Sequence, residues 1–293
     1  MTVLSIDVGG TSIKHAIINE GAIVAKGVTP TPTTKKEFLE AINSITNKYD
    51  ETYDFKDITL SFPGYINPNN GYAEKAGALN FLDGSNIIDQ FAETIGQDYV
   101  YHIENDANCA AIAEKNSGRA VDNQSFLLVT VGTGFGGAFY INNQLVRGFQ
   151  YKAGEFGQMR IMSRTDIDRK VNSLASVKWL IMNYKELKNL PKEARVSGEE
   201  ILDNSKDDPD TGALVKSWIA DICVSIFNVV TVINPEKILI GGGISSHPSF
   251  LPLVRETMDI LLNDWHEFRV PIETCKYHND AGLLGAYYNV ISN

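Results

Sequence analysis

Residues 3–14, Val-Leu-Ser-Ile-Asp-Val-Gly-Gly-Thr-Ser-Ile-Lys, return in altered form at 127–137, Leu-Leu-Val-Thr-Val-Gly-Thr-Gly-Phe-Gly-Gly. No other feature constrains the fold as strongly. Overlaid without a gap, Ile6 falls on Val129, Gly9 on Gly132, Ile17 on Tyr140, Ile18 on Ile141 and Asn19 on Asn142. Each copy reads as strand, glycine-rich turn, strand, tight turn, strand. Turns of small residues let backbone N–H groups approach a phosphate, and glycine alone takes positive φ without steric cost. Two such turns facing across a cleft could hold a nucleoside triphosphate from both sides. A lone Gly-Gly-Thr is more simply an ordinary β-turn, but its duplication is hard to reach by chance. A dinucleotide-binding turn is excluded, because Gly132–Gly137 leads into Ala-Phe-Tyr-Ile-Asn-Asn, an alternating strand and turn rather than a helix.

The 293 residues suffice for two domains with cores of their own. A formal net charge of -10 argues against a nucleic-acid surface. The first strand is predicted within two residues of Met1, so no signal or transit peptide is expected, and no apolar run is expected to reach the roughly 18 residues of a membrane span. Cys109, Cys223 and Cys275 are odd in number and far apart, as free thiols in the reducing cytosol would be.

Helical spacing follows each strand meander: over 34–49, 87–95 and 107–115 after the first, and over 173–184, 212–233, 251–264 and 281–290 after the second. Buried strands are predicted at 58–62, 100–103 and 237–240. This order argues for an α/β chain of two related lobes with a cleft between them. Glu104-Asn-Asp-Ala-Asn108 stands where a strand gives way to a helix, the place where open α/β sheets put ligands. Asn105 or Asp106 can cap that helix. Asparagine amides beside a carboxylate also suit a sugar, since the amides pair with hydroxyls and the carboxylate can take a hydroxyl proton. Glu155 sits between glycines in Ala153-Gly-Glu-Phe-Gly-Gln158, as a turn residue or a buried ligand, and Gly241-Gly-Gly243 offers close backbone approach to an adenine ring.

Asp7-Val-Gly-Gly-Thr-Ser-Ile-Lys14, Glu104-Asn-Asp-Ala-Asn108, Gly132-Thr-Gly-Phe-Gly-Gly137, Ala153-Gly-Glu-Phe-Gly157 and Gly241-Gly-Gly243 occur in the order of the ROK sugar kinases. The chain resembles that family over essentially its whole length. Within it, Pro63-Gly-Tyr-Ile-Asn-Pro68 and Asn279–Ala286 look most like bacterial β-glucoside kinases. The resemblance implies two actin-like, ribonuclease H-like lobes: 1–115 with 281–293, and 116–280. It also implies a cytoplasmic enzyme using ATP and Mg²⁺ to phosphorylate a sugar 6-hydroxyl, with a homodimer as a family habit. Asp106 matches the catalytic base. Gly64, Asn80, Asn105 and Glu155 match sugar-contacting positions. Asp7, Gly9, Gly10, Thr11 and Lys14 match the first phosphate loop, with Asp7 near Mg²⁺ through water. Gly132, Thr133 and Gly134 match the second loop, and Gly242 and Gly243 the adenosine motif.

Two departures from the family pattern bear on specificity. Most members carry a histidine where Gln158 stands, followed by a cysteine cluster that binds zinc. Residues 159–176 contain no cysteine, so no zinc site is expected. A family glutamate that contacts the anomeric hydroxyl aligns with Asn172. Loss of both partners suits a sugar whose anomeric oxygen is substituted. The alternatives are a glucokinase, fructokinase or N-acetylhexosamine kinase, and more remotely a sugar-sensing regulator, which would need a DNA-binding domain where only Met1 and Thr2 precede the first strand. A chaperone ATPase of the same superfamily would leave Asp106 without a task.

Overall fold

The computed structural model describes residues 1–161 and 169–291. The chain forms two compact units, Met1–Val121 with Arg147–Ala153 and Asp280–Asn293, and Asp122–Val146 with Gly154–Asn279. The sequence reading ran the second lobe unbroken through 116–280. Arg147–Ala153 instead belongs with the first unit, because Arg147, Tyr151 and Lys152 bond to Glu104, Asn69 and Glu74 there.

The first unit runs β1 (Thr2–Val8), β2 (Ser12–Asn19), β3 (Ala22–Pro30), α1 (Lys35–Asp50), β4 (Asp57–Phe62), a small antiparallel sheet of β5 (Tyr65–Ile66), β6 (Tyr72–Lys75) and β7 (Ser85–Asn86), then α2 (Ile87–Thr94), β8 (Val100–Asn105) and α3 (Asp106–Ser117). Its main sheet has the order β3-β2-β1-β4-β8, antiparallel across the first three strands and parallel across the last three. Side chains alternate across β1. Leu4, Ile6 and Val8 enter a core with Phe38, Ile42 and Phe91 from α1 and α2. On the other face, Ser5 Oγ donates to Leu283 O at 2.7 Å on the closing helix, Ala281–Ile291. That helix lies so close to α3 that a Cβ on Gly285 would stand 1.7 Å from the Cys109 carbonyl oxygen.

The second unit repeats this plan. Strands β9 (Phe126–Val131), β10 (Phe135–Ile141), β11 (Gln144–Leu145), β12 (Lys237–Gly241) and β13 (Ile272–Thr274) form a sheet of order β11-β10-β9-β12-β13 with the same directions. The duplication is therefore structural, with one correction. Val8 pairs with Ile13 but Val131 with Phe135, so the second turn is one residue shorter and the ungapped overlay slips after it. Ile18 corresponds to Tyr140 rather than Ile141. The following hairpins then align, through left-handed Glu20-Gly21 in one copy and Asn142-Asn143 in the other.

Helices α4 (Asn172–Ala175), α5 (Val177–Leu187), α6 (Gly198–Asn204) and α7 (Pro209–Ile233) lie between β11 and β12, and α8 (Phe250–Leu261) between β12 and β13. The helix expected over 173–184 is thus two. Ser176 takes an extended ψ of 152°, and its hydroxyl accepts from Trp179 N at 3.2 Å as a cap, while Val177 N donates to Gly132 O at 2.8 Å. In length and apolarity α7 could span a membrane, the one such helix among the described residues, contrary to the reading that no run is long enough. Half of its apolar window is buried, and Trp218, Ile222 and Ile226 belong to the core of the unit. The closing helix is α9.

His15 is buried in the first unit, with Nδ1 2.9 Å from Tyr49 Oη and Nε2 3.2 Å from Thr29 Oγ1. Burial, aided by Lys48, pushes its pKa down to about 4. Because the unfolded chain binds this proton near 6.5, stability should fall as pH drops from about 6.5 to about 4. The urea midpoint followed over that range should decline less steeply in His15→Gln than in the wild type. Equal slopes would contradict the assignment.

Candidate active site

The turn between β8 and α3 is built around Asn105. Its backbone is extended (φ −61°, ψ 145°), and its side-chain oxygen accepts from the Ala107 and Asn108 amides at 2.9 and 3.1 Å. Its side-chain nitrogen donates to Gly64 O at 3.0 Å. Asn105, not Asp106, is the helix cap. Asp106 opens α3 as an exposed first-turn carboxylate, favoured there by the helix dipole. Gly64 has φ +100°, and a Cβ would stand 2.0 Å from Lys75 O, so glycine is required for this approach. Asn80 is exposed at the start of a 3₁₀ turn over Asn80–Leu82. That turn is braced by Asp83, which accepts from Ala76 N and Lys75 Nζ, both at 2.8 Å.

Asp7, near the end of β1, accepts from Ser61 Oγ at 2.7 Å and Lys14 Nζ at 3.1 Å. The helix α9 leaves room for it only because residue 282 is glycine, whose Cβ would stand 2.4 Å from Asp7 Oδ1. In the adjoining turn, Gly9 N donates to Ser12 O at 3.0 Å, and Thr31 Oγ1 donates to Gly9 O at 2.6 Å. Gly10 and Thr11 form its exposed tip. One carboxylate beside a phosphate-type turn is a donor set that Mg²⁺ accepts, since it keeps most of its water and takes one or two carboxylates with phosphate oxygens. Among the described residues there is no group of three or more His, Cys, Asp or Glu that could hold a metal ion.

In the second unit, Gly132 N donates to Gly134 O at 2.9 Å. Gly132, Thr133, Val177, Ile181, Gly243 and Ile244, with Lys178, Lys185 and Glu199, line a cavity of about 460 Å³. Its size and apolar walls suit a nucleoside. Gly242 has φ +93°, and a Cβ would fall 2.1 Å from Val131 O. The chain can leave β12 past β9 only with glycine there.

Asn172, a sugar-site position on the sequence pattern, makes a structural bond. Its side-chain oxygen accepts from Phe135 N at 2.6 Å, and a Cβ on Gly157 would meet it at 2.3 Å. It braces the second glycine-rich turn against the Glu155 segment. Glu155 is partly buried, which raises its carboxyl pKa, and Gln158 is exposed with its amide on Glu155 O at 3.0 Å. Residues 162–168, within the stretch that carries zinc ligands in relatives, lie outside the described residues.

Asp106, Asn105, Gly64, Asn80, Asp7, Gly9, Gly10, Thr11 and Lys14 thus lie in the first unit, and Glu155, Gln158, Asn172, Gly132, Thr133, Gly134, Gly242 and Gly243 in the second. The sequence reading missed α6, which brings Glu199 to the cavity, and Arg147, whose Nε donates to Glu104 Oε2 at 2.6 Å. Only the Arg-Gly pair ahead of Ala153-Gly-Glu155 hinted at the latter.

The ROK family pattern matches residues 3–292. The chain belongs to the ROK family. It is 33% identical to a β-glucoside kinase of Listeria monocytogenes over 99% of this chain and 98% of the relative. Against the solved Lmo2764 protein of the same species, which carries a proposed assignment as an N-acetylmannosamine kinase, identity is 31% with a TM-score of 0.87 and complete coverage of both chains. A ROK protein of Streptococcus pneumoniae solved with sucrose is 26% identical, with a TM-score of 0.87 over 100% of this chain and 98% of the other.

Since Asn172 supports the second turn, Asn172→Ala should leave the Phe135 amide without its acceptor, a local cost of about 1–3 kcal/mol. Its amide exchange should accelerate and the KM for ATP rise several-fold, with the sugar KM held within about twofold. A change confined to the sugar KM would restore the sugar-contact role.

Proposed function

We propose that this protein, an ATP-dependent sugar kinase, transfers the γ-phosphoryl group of ATP to the 6-hydroxyl of a glucose moiety and accepts β-linked glucosides. The observation that carries the reading is the Asn105–Asp106 turn. Asp106 stands at the helix start as an exposed carboxylate, its Oδ1 on Ala107 N at 2.8 Å, and can take the hydroxyl proton as the oxygen attacks phosphorus. Asn105 gives one amide hydrogen to Gly64 O and has a second to offer a sugar oxygen.

Phosphoryl transfer depends mainly on positioning and electrostatic stabilisation. In both turns the first glycine amide closes the loop, so the Gly10 and Thr11 amides and the Thr133 and Gly134 amides are those directed to phosphate. Lys14 adds positive charge. Asp7 would hold, through water, the Mg²⁺ that accompanies ATP, which would supply charge neutralisation to the phosphates. Glu155 accepts a sugar hydroxyl while ionised.

Acceptance of a substituted anomeric oxygen is supported by relatives named β-glucoside kinases, at 33% and 30% identity, and by the Streptococcus pneumoniae relative holding sucrose, itself a glucoside. The exposed Gln158 in place of the family histidine agrees with this.

Coupled turnover with glucose, N-acetylglucosamine, N-acetylmannosamine and cellobiose should show cellobiose used with an efficiency comparable to or better than glucose. Activity on glucose with none on any β-glucoside would make the protein a glucokinase. Asp106→Asn should keep the fold and much of the sugar affinity while lowering kcat by roughly 10²–10⁴-fold. Near wild-type turnover would remove Asp106 from the chemistry.

A further inference from the structure

Glu104, on β8, is only 1% exposed, and carboxylates are seldom buried to this extent without partners. Its partners are specific. Oε1 accepts from Asn105 N at 2.9 Å and from Asn108 Nδ2 at 2.8 Å, and Oε2 accepts from Arg147 Nε at 2.6 Å. Two of these three bonds end on Asn105, immediately before Asp106, and on Asn108, two residues after it. The carboxylate thus holds the turn from beneath while the Asn105 side chain holds it from its own backbone and Gly64.

Arg147 reaches Glu104 from the segment Arg147–Ala153, and its second nitrogen lies 3.5 Å from Asn289 Oδ1 on α9. That segment is shaped and fastened along its length. Ala153 N donates to Arg147 O at 3.2 Å, Asn69 Nδ2 donates to Tyr151 Oη at 3.0 Å, and Lys152 Nζ donates to Glu74 Oε1 at 2.8 Å. Gly148 and Tyr151 take positive φ to make the bend. The chain then passes directly into Gly154 and Glu155.

We propose that Glu104 and Arg147 are a positioning pair: Arg147 holds the Glu104 carboxylate in place, Glu104 fixes the Asn105–Asp106 turn, and the pair ties that turn to the segment leading into Glu155. This rests on the sugar-kinase reading above. Without the guanidinium, the buried carboxylate loses the charge-assisted bond that fixes its orientation, and its hold on Asn105 N and Asn108 Nδ2 loosens with it. Neither residue needs to touch the sugar.

The test compares wild-type protein with Arg147→Met, Arg147→Lys, Glu104→Gln and the double variant Glu104→Gln with Arg147→Met, all checked by circular dichroism and Tm. The expected result for Arg147→Met is a 10–100-fold fall in kcat, with the KM for ATP within about twofold of wild type. Guanidinium chloride at non-denaturing concentration should restore kcat partly, and sodium chloride should not. Glu104→Gln should lose a similar amount, and the double variant should be no worse than the poorer single variant, as members of one unit behave. If Arg147→Met is not recovered folded, Arg147→Lys decides, because it keeps the charge and moves the nitrogen: a kcat lowered at least threefold at wild-type Tm supports the pair, and an unchanged kcat overturns it. Wild-type kcat in folded Arg147→Met, or losses that simply add in the double variant, would also overturn it. Turnover by the wild type with any sugar separates these outcomes from failure of the kinase reading, under which the wild type itself would phosphorylate none.

Discussion

The cap that Asn105 places on α3 is the interaction on which the site depends. A helix start leaves four backbone N–H groups without partners. Here one carboxamide oxygen serves two of them, and the same side chain reaches across to Gly64 O. Three separate pieces of chain meet in that one residue: the end of the parallel strand, the start of the helix and the turn after β4. The neighbouring carboxylate shares the Ala107 amide, with Asp106 Oδ1 accepting from it at 2.8 Å, and Asp106 stands exposed at the positive end of the helix dipole.

Glycine fulfils the complementary requirement, close approach. At Gly64, Gly242 and Gly285 a single added carbon would meet a backbone atom at 2.1 Å or less. These positions set how near the turn after β4, the turn after β12 and the α3–α9 pair come to their neighbours. The two duplicated glycine-rich turns carry a further economy. In both units the first glycine amide is consumed in closing the loop, and the following pair is what the loop presents.

Much of this was legible in the sequence because it is local or periodic. The duplication showed in spacing alone, and the matching sheet orders bear it out. Asn105 and Asp106 were visible as a strand end followed by an alanine-rich helix, although which of them caps could not be told, since either side chain can reach the same amides. The one-residue slip between repeats was invisible because glycine-rich turns tolerate a deletion without disturbing either strand pattern. The break at Ser176 was hidden within a continuous helical periodicity, and β13 and α6 are too short to generate any. The Glu104–Arg147 bond joins residues 43 positions apart, which no local pattern encodes. The bond from Phe135 N on β10 to Asn172 on α4 was hidden for the same reason.

The central claim is that Asp106 serves transfer to a primary hydroxyl of a glucose ring, and product regiochemistry tests it most directly. Phosphorus–proton correlation NMR on the product from ATP and cellobiose should connect phosphorus to the two C6 methylene protons of the non-reducing ring. A correlation to any ring methine proton, or to the anomeric proton, would contradict the account.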